Sequence, residues 1–352
     1  MNNETTKTRQ GEELNLKNLF AYLCSKLKTS ANEINIEQFP AGSSNLTYSI
    51  KIGDEEYVLR RPPFGNQVKS AHDMKREFEV LSKLSKVYQP APKPLIYCGD
   101  DTVIGSEFYL MECRRGLIIR EKSPFDLENS KDLQQKVSRS FVENLATLHS
   151  LDYEKAGLGR LGKPEGYVKR QVEGWTQRYF NAKTDENIEL EKTIEWLNAK
   201  IPESKNAALI HNDYKFDNVI LNPKNLTEIV AVLDWEMATV GEPLMDLGTT
   251  LAYWMSKDAG EQMLNMPFNP RVLMENISRK ELSEMYAEKS GRDLSNILFY
   301  YVFGTFKVAV IAQQIYFRYK KGFTKDKRFA RFNVFVSALG KIAVNAIEKR
   351  KI

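Results

Sequence analysis

Residues 209–221 read LIHNDYKFDNVIL, a polar loop carrying His211, Asp213 and Asn218 between two apolar flanks. A third apolar run, IVAVLDWE, follows closely and ends on Asp234 and Glu236. Short apolar runs bounded by turn-forming residues read as strands. Three such strands around one charged loop, with helical patterns on either side, limit the fold more than any other feature of the chain.

The first third has a different period. SNLTYSIKI and EYVLRR are β-rich runs joined across Gly53 and Asp54, a hairpin pattern. AHDMKREFEVLSKLSKV carries Met74, Phe78, Leu81 and Leu84 at helical spacing, and PLIYCGDD and EFYLMEC supply two more strands. After residue 116 amphipathic helices take over, one with Leu133, Val137, Phe141, Leu145 and Leu148 on a single stripe. The run at 297–317 contains Lys307 and reads as a buried helix, not a membrane span. GRDLSN, 291–296, reads as a helix start capped by Asp293 or Ser295. The expected fold class is α+β: a β-rich lobe at 14–111, a hinge at 112–116 and a mainly helical lobe at 117–352, with a cleft between lobes. A disordered tail is expected at 1–13, and its polar sequence predicts no signal peptide.

A length of 352 residues suits two such lobes. The net charge of +5 demands no nucleic-acid partner. Cys24, Cys98 and Cys113 are odd in number and far apart, which points away from disulfides and zinc and toward a reducing cytoplasm. No membrane partner is expected.

The spacing of the central loop suits phosphoryl transfer. That chemistry needs a carboxylate to hold and deprotonate an attacking hydroxyl, with an amide oxygen and a second carboxylate to hold Mg²⁺ against nucleotide phosphates. Asp213 suits the base, and Asn218 and Asp234 suit the metal. His211 then shapes the loop through bonds from its ring, while His72 and His149 read as structural.

With GEPLMDLG following in order, these motifs resemble the aminoglycoside phosphotransferase family of small-molecule kinases, which share the protein-kinase architecture. The likeness covers roughly residues 35–260. AGSSNLTY, YVLRRPP, REFEVL, FYLMEC and HNDYKFDNVI most resemble the branch associated with acyl-CoA dehydrogenases. The resemblance implies ATP and Mg²⁺ as cofactors and assigns further residues. Gly42, Ser43, Ser44 and Asn45 form the loop over the phosphates. Arg60 is the phosphate-gripping cation, a departure from the family's usual Lys, and Glu77 orients it. Met111 contacts the adenine, and the backbone of Glu112 and Cys113 bonds it. Asp246 is the family's fixed aspartate. Glu236, two residues past Asp234, either faces the metal or the acceptor or stands behind the residues that do. Asn212 stands where the family usually has Gly.

The leading expectation is an ATP- and Mg²⁺-dependent kinase acting on a small-molecule hydroxyl. No Asp-Phe-Gly or Ala-Pro-Glu motif argues for a protein kinase. Polycationic aminoglycosides favour an acidic pocket, whereas the region after residue 250 is basic, densest in FRYKKGFTKDKRFARF. Arg318, Lys320 and Lys321 are therefore expected to meet an anionic acceptor, and the branch implies a hydroxyacyl-CoA. An aminoglycoside, amino-alcohol or sugar acceptor is the alternative. A nucleotide-binding pseudokinase is the non-enzymatic one, resting on Arg60 and Asn212.

Overall fold

The computed structural model describes residues 5–40, 45–64, 73–120, 122–203, 206–264, 269–324 and 326–352. The chain forms two compact units. One is Met1–Arg115 with Ala231–Glu236, and the other is Gly116–Val230 with Met237–Ile352. The expected large lobe thus gives up 231–236, and with it Asp234 and Glu236, to the first unit.

The first unit begins with helix α1 (Leu16–Leu27), which the sequence reading did not identify. Asn15 caps it, accepting from the Asn18 N–H at 3.1 Å. Strands β1 (Ile34–Gln38), β2 (Leu46–Ile52) and β3 (Glu55–Arg61) precede helix α2 (Met74–Leu84), and β4 (Pro94–Cys98) and β5 (Phe108–Glu112) complete the sheet. The strand order is β1-β2-β3-β5-β4, antiparallel throughout. Ile52 pairs with Glu55, so Gly53 and Asp54 form a two-residue turn, and the positive φ of Gly53 (59°) is the conformation that glycine supplies without strain. Leu19 and Leu23 of α1 are fully buried with Tyr48, Ile50, Leu59 and Phe108, giving the sheet one apolar face. The disordered tail expected at 1–13 is not found from Thr5 onward. Thr6 and Gln38 exchange backbone hydrogen bonds at 2.8 Å, and the Tyr48 hydroxyl donates to the Glu12 carbonyl at 2.7 Å. Polar composition misled there because the segment is held through its backbone.

The second unit starts with α3 (Phe125–Asn129), α4 (Lys131–His149), α5 (Tyr167–Ala182) and α6 (Ile188–Ala199). Short strands β6 (Ala208–Ile210), β7 (Val219–Asn222), β8 (Asn225–Val232, crossing into the first unit) and β9 (Thr239–Gly241) follow. They pair as β6 with β9 and β7 with β8. Then come α7 (Pro243–Tyr253), α8 (Glu261–Leu264), α9 (Arg271–Asn276), α10 (Arg279–Ser290), α11 (Ile297–Lys320) and α12 (Phe332–Lys349). Helix α11 is the unit's axle, packed on α7, α12, α5 and α6.

Where α7 and α11 meet, Gly248 and Gly304 allow backbone to approach backbone. A Cβ on Gly304 would lie 2.2 Å from the Gly248 carbonyl oxygen. Among the described residues, Ile297–Lys320 and Lys327–Lys349 are long and apolar enough to cross a membrane; 78% of the apolar window is buried within the protein in the first and 28% in the second. The GRDLSN segment corrects one expectation. Gly291 ends α10 at φ 67°, and Asp293 accepts from the Ser295 N–H and hydroxyl in a local turn, while α11 starts at Asn296 without a side-chain cap.

Candidate active site

The first unit holds a buried guanidinium among carboxylates. Arg60, next to last in β3, is 7% exposed. Its Nη1 lies 3.3 Å from Glu77 of α2, and its Nη2 lies 2.9 Å from Asp234 and 3.5 Å from Glu236. Burial works against the charge of Arg60, but Glu77, Tyr109, Asp234 and Glu236 outweigh it and hold the guanidinium well above its ordinary pKa. Burial raises the pKa of Glu77, and Arg60 opposes that rise. Glu77 is 1% exposed, and the helical spacing that turns it inward leaves Glu79 on another face. Asn45 donates to Glu236 at 2.6 Å, and Arg76 donates to the Glu236 carbonyl at 2.9 Å. Asp234 itself sits in the left-handed region at φ 68°, two residues past the end of β8.

Gly42, Ser43 and Ser44, like His72, lie outside the described residues. Met111 is buried in β5. The backbone N–H of Glu112 donates to the Lys93 carbonyl at 3.0 Å, so that donor is committed to the sheet edge and is not offered to a base. Its carboxylate accepts from the Lys93 N–H and from Arg114, at 2.7 and 2.8 Å. The Cys113 thiol bonds Glu56 and so belongs to the same strand end.

The second unit holds the loop between β6 and β7, and Asp246 is its anchor. This residue stands in the first turn of α7 and is fully buried. Its carboxylate accepts from the His211 N–H at 2.6 Å and the Asn212 N–H at 2.7 Å, and it lies 3.2 Å from His149 Nε2. Burial alone would raise its pKa, but His149, His211 and the amide bond lower it below the ordinary carboxylate value. Burial lowers the pKa of His149, whose other ring nitrogen lies 2.7 Å from the Tyr286 hydroxyl. His211 faces inward, and its Nδ1 accepts from the Asp213 N–H at 3.2 Å.

Asn212 takes the left-handed conformation (φ 69°) that glycine would adopt at no cost. Its side chain compensates by donating to the Met237 carbonyl at 3.0 Å and to the Tyr167 hydroxyl at 3.3 Å. Asn212 therefore holds the turn without a glycine. Tyr214 is pinned at both ends: its hydroxyl donates to the Phe141 carbonyl and its carbonyl accepts from Thr250, each at 2.9 Å.

That frame presents Asp213. Its carboxylate accepts from Lys215 Nζ at 2.8 Å and from Asn218 Nδ2 at 3.0 Å. The Asn218 amide also donates to the Asp213 carbonyl at 2.9 Å, which fixes the amide's orientation and turns Oδ1 away from Asp213. Burial works against the charge on Lys215, but Tyr253 and Asp213 outweigh it and raise its pKa. The Lys215 ammonium also sits 4.8 Å over the Tyr253 ring. Beneath the loop, Lys307 of α11 donates to the Asn212 carbonyl at 2.6 Å.

Sequence reasoning missed Lys215, Tyr253 and Lys307 as members of this constellation. The available signals were Lys215 inside the loop itself and Lys307 as a lone charge in an apolar run. Arg318, Lys320 and Lys321 stand exposed on the last turn of α11, with Lys320 paired to Asp185 at 2.9 Å. They lie roughly 20 Å along the helix from Lys307, at the usual rise per residue.

The comparisons with known proteins fit this geometry. The family model for the phosphotransferase enzyme family matches residues 35–266. The chain belongs to that family. That membership makes it a phosphotransferase. The chain is 35% identical over 330 residues to acyl-CoA dehydrogenase family member 11 of Rattus norvegicus, covering 91% of this chain and 41% of that protein. It therefore spans about two fifths of the length of that relative. The crystal structure of a putative aminoglycoside phosphotransferase from Ralstonia eutropha superimposes with a TM-score of 0.77 at 26% identity, covering 95% of this chain and 99% of the other. A mutant of aminoglycoside phosphotransferase APH(4)-Ia, in a ternary complex with AMP-PNP and hygromycin B, shares the fold at a TM-score of 0.57 and 13% identity, covering 93% of this chain and 96% of the other. The architecture is thus the kinase-like one.

Proposed function

We propose that this chain transfers a phosphoryl group from ATP to a hydroxyl of a small molecule, with Asp213 as the general base. The observation that carries the reading is the Asp213 carboxylate, held by Lys215 at 2.8 Å and Asn218 at 3.0 Å on a loop anchored by a buried aspartate. In the proposed reaction Asp213 accepts the proton of the attacking hydroxyl as that oxygen bonds to phosphorus. Lys215 places a positive charge beside the base, and Arg60, held by Glu77, binds phosphate oxygens. Arg60 Nε is a buried donor without a hydrogen-bond partner, which fits a side chain that binds an anion.

Mg²⁺ prefers oxygen ligands, and each unit carries one candidate. Asn218 would offer its Oδ1, and Asp234 a carboxylate whose side chain is 30% exposed. Bound there, the ion would offset the negative charge of the phosphates. The nucleotide in the APH(4)-Ia complex, AMP-PNP, supports ATP as the donor.

For the acceptor we favour a hydroxyacyl-CoA. The similarity to acyl-CoA dehydrogenase family member 11 supports an acyl-CoA. An acceptor long enough to place its hydroxyl at Asp213 while its phosphates reach Arg318 and Lys321 suits the roughly 20 Å between Lys307 and the end of α11. An aminoglycoside, being a polycation, gains nothing from those side chains. The test is a mass-spectrometric transfer assay with ATP, Mg²⁺ and a panel of hydroxyacyl-CoAs, free hydroxy acids, choline, sugars and aminoglycosides. A phosphorylated acyl-CoA is expected. Phosphorylation confined to choline, a sugar or an antibiotic would overturn the acceptor class and keep the kinase. Tight ATP binding without transfer to any acceptor would favour the pseudokinase.

A further inference from the structure

A fully buried lysine needs a structural reason, because removing an ammonium from water is costly unless it is paired. Lys307 is 2% exposed, in the middle of an apolar helix. Among the described residues it makes no ion pair within salt-bridge distance. Its hydrogen bond goes to the Asn212 carbonyl at 2.6 Å, and its ammonium lies 5.6 Å from the centre of the Trp175 ring of α5. The residue it holds is the left-handed one directly before Asp213. Every polar group of Asn212 is engaged: the N–H by Asp246, the side chain by Met237 and Tyr167, and the carbonyl by Lys307.

We propose that Lys307 is a positioning residue for phosphoryl transfer: from beneath the loop it holds the Asn212 carbonyl, and so fixes the turn that aims Asp213. The proposal rests on the reading of Asp213 as the base. Lys307 does not touch the acceptor; it acts through the loop. A charged donor makes a stronger hydrogen bond to that carbonyl than a neutral one would. The groups facing the ammonium are Asp213 and Asp246, which favour its charge, and Lys215 and Arg178, which oppose it. Burial pushes its pKa down to about 8, so the ammonium loses its proton near physiological pH, and with it the charge that strengthens its bond to the Asn212 carbonyl.

The test is Lys307→Met, which keeps the length of the stem and removes donor and charge. Hydrogen exchange read by mass spectrometry should accelerate tenfold or more in peptides covering 209–218, while peptides from α4 stay within twofold of the parent protein. Turnover should fall on the order of 10-fold to 100-fold with nucleotide affinity unchanged, and the alkaline limb of its pH profile near 8 should disappear. Unchanged exchange in the loop, or equal acceleration across the chain, would overturn the proposal. Should Lys307→Met not fold, Lys307→Leu, which also removes donor and charge, is measured by the same two criteria. The exchange readout needs no acceptor. A parent protein with no transfer activity but a loop-selective response would therefore sink the kinase reading and keep the positioning role. Full transfer activity with an unresponsive loop would do the reverse.

Discussion

The loop at 211–218 depends on an asparagine in the left-handed conformation that glycine adopts at no cost. An L-residue in the left-handed region costs roughly 1–2 kcal/mol, and Asn212 offsets this through its bond to Met237. Asn212→Gly should thus shift stability by less than about 1 kcal/mol, the strain relieved and the bond lost being of similar size. Asn212→Val should cost about 2–3 kcal/mol, because strain stays and the bond is gone. Urea denaturation midpoints compare the two variants directly. Lys307 gives a second prediction at this scale. Its proton leaves the folded protein near pH 8, whereas in the unfolded chain it leaves near the ordinary 10.5. Between those values the unfolded state binds more protons, so this residue makes stability rise with pH across that window. Denaturation at pH 8 and pH 10 should show a pH-dependent change in stability that is more favourable in the parent protein than in Lys307→Met, and equal changes in the two would contradict it. The sequence showed Asp213, Asn218 and His211 because their spacing lies within one loop. It hid Lys307 because the fold, and not the chain order, brings α11 under that loop.

Among the elements, α7 and α11 set the frame. Asp246 reaches the loop from the first turn of α7, and Lys307 reaches it from the middle of α11, so the distance between these helices controls how the loop presents Asp213. Gly248 and Gly304 fix that distance. Gly304→Ala would place a methyl 2.2 Å from the Gly248 carbonyl oxygen, and the helices would have to part. The expected cost is roughly 1–3 kcal/mol, the usual range for overpacking. Calorimetry should show a lowered Tm, and turnover should drop more than nucleotide affinity does. Strands β2 to β5 and helices α2, α4 and α11 were legible because their apolar periods are uninterrupted. Helix α1 went unnoticed, though Leu19 and Leu23 carry its buried face. Strand β9 is three residues long, too short to show a period.

For the molecule as a whole, the main departure from expectation is where residues 231–236 belong. Chain order placed Asp234 and Glu236 with the helical lobe, but they join the first unit, where Arg60 binds both. Sequence spacing signalled that Asp234 matters without showing which unit holds it. The longer relatives extend well beyond what this chain covers, so the reaction argued for it is that of the phosphotransferase module alone. The central claim is that Asp213 removes a proton in the transfer step, and the most direct measurement is turnover of Asp213→Asn beside its ATP affinity by calorimetry. Asn keeps the size of the side chain and cannot act as a base. Turnover should be lower by about 10²-fold or more, the scale for losing a general base, with ATP affinity within a few-fold of the parent protein. Turnover unchanged in a folded Asp213→Asn variant would contradict it.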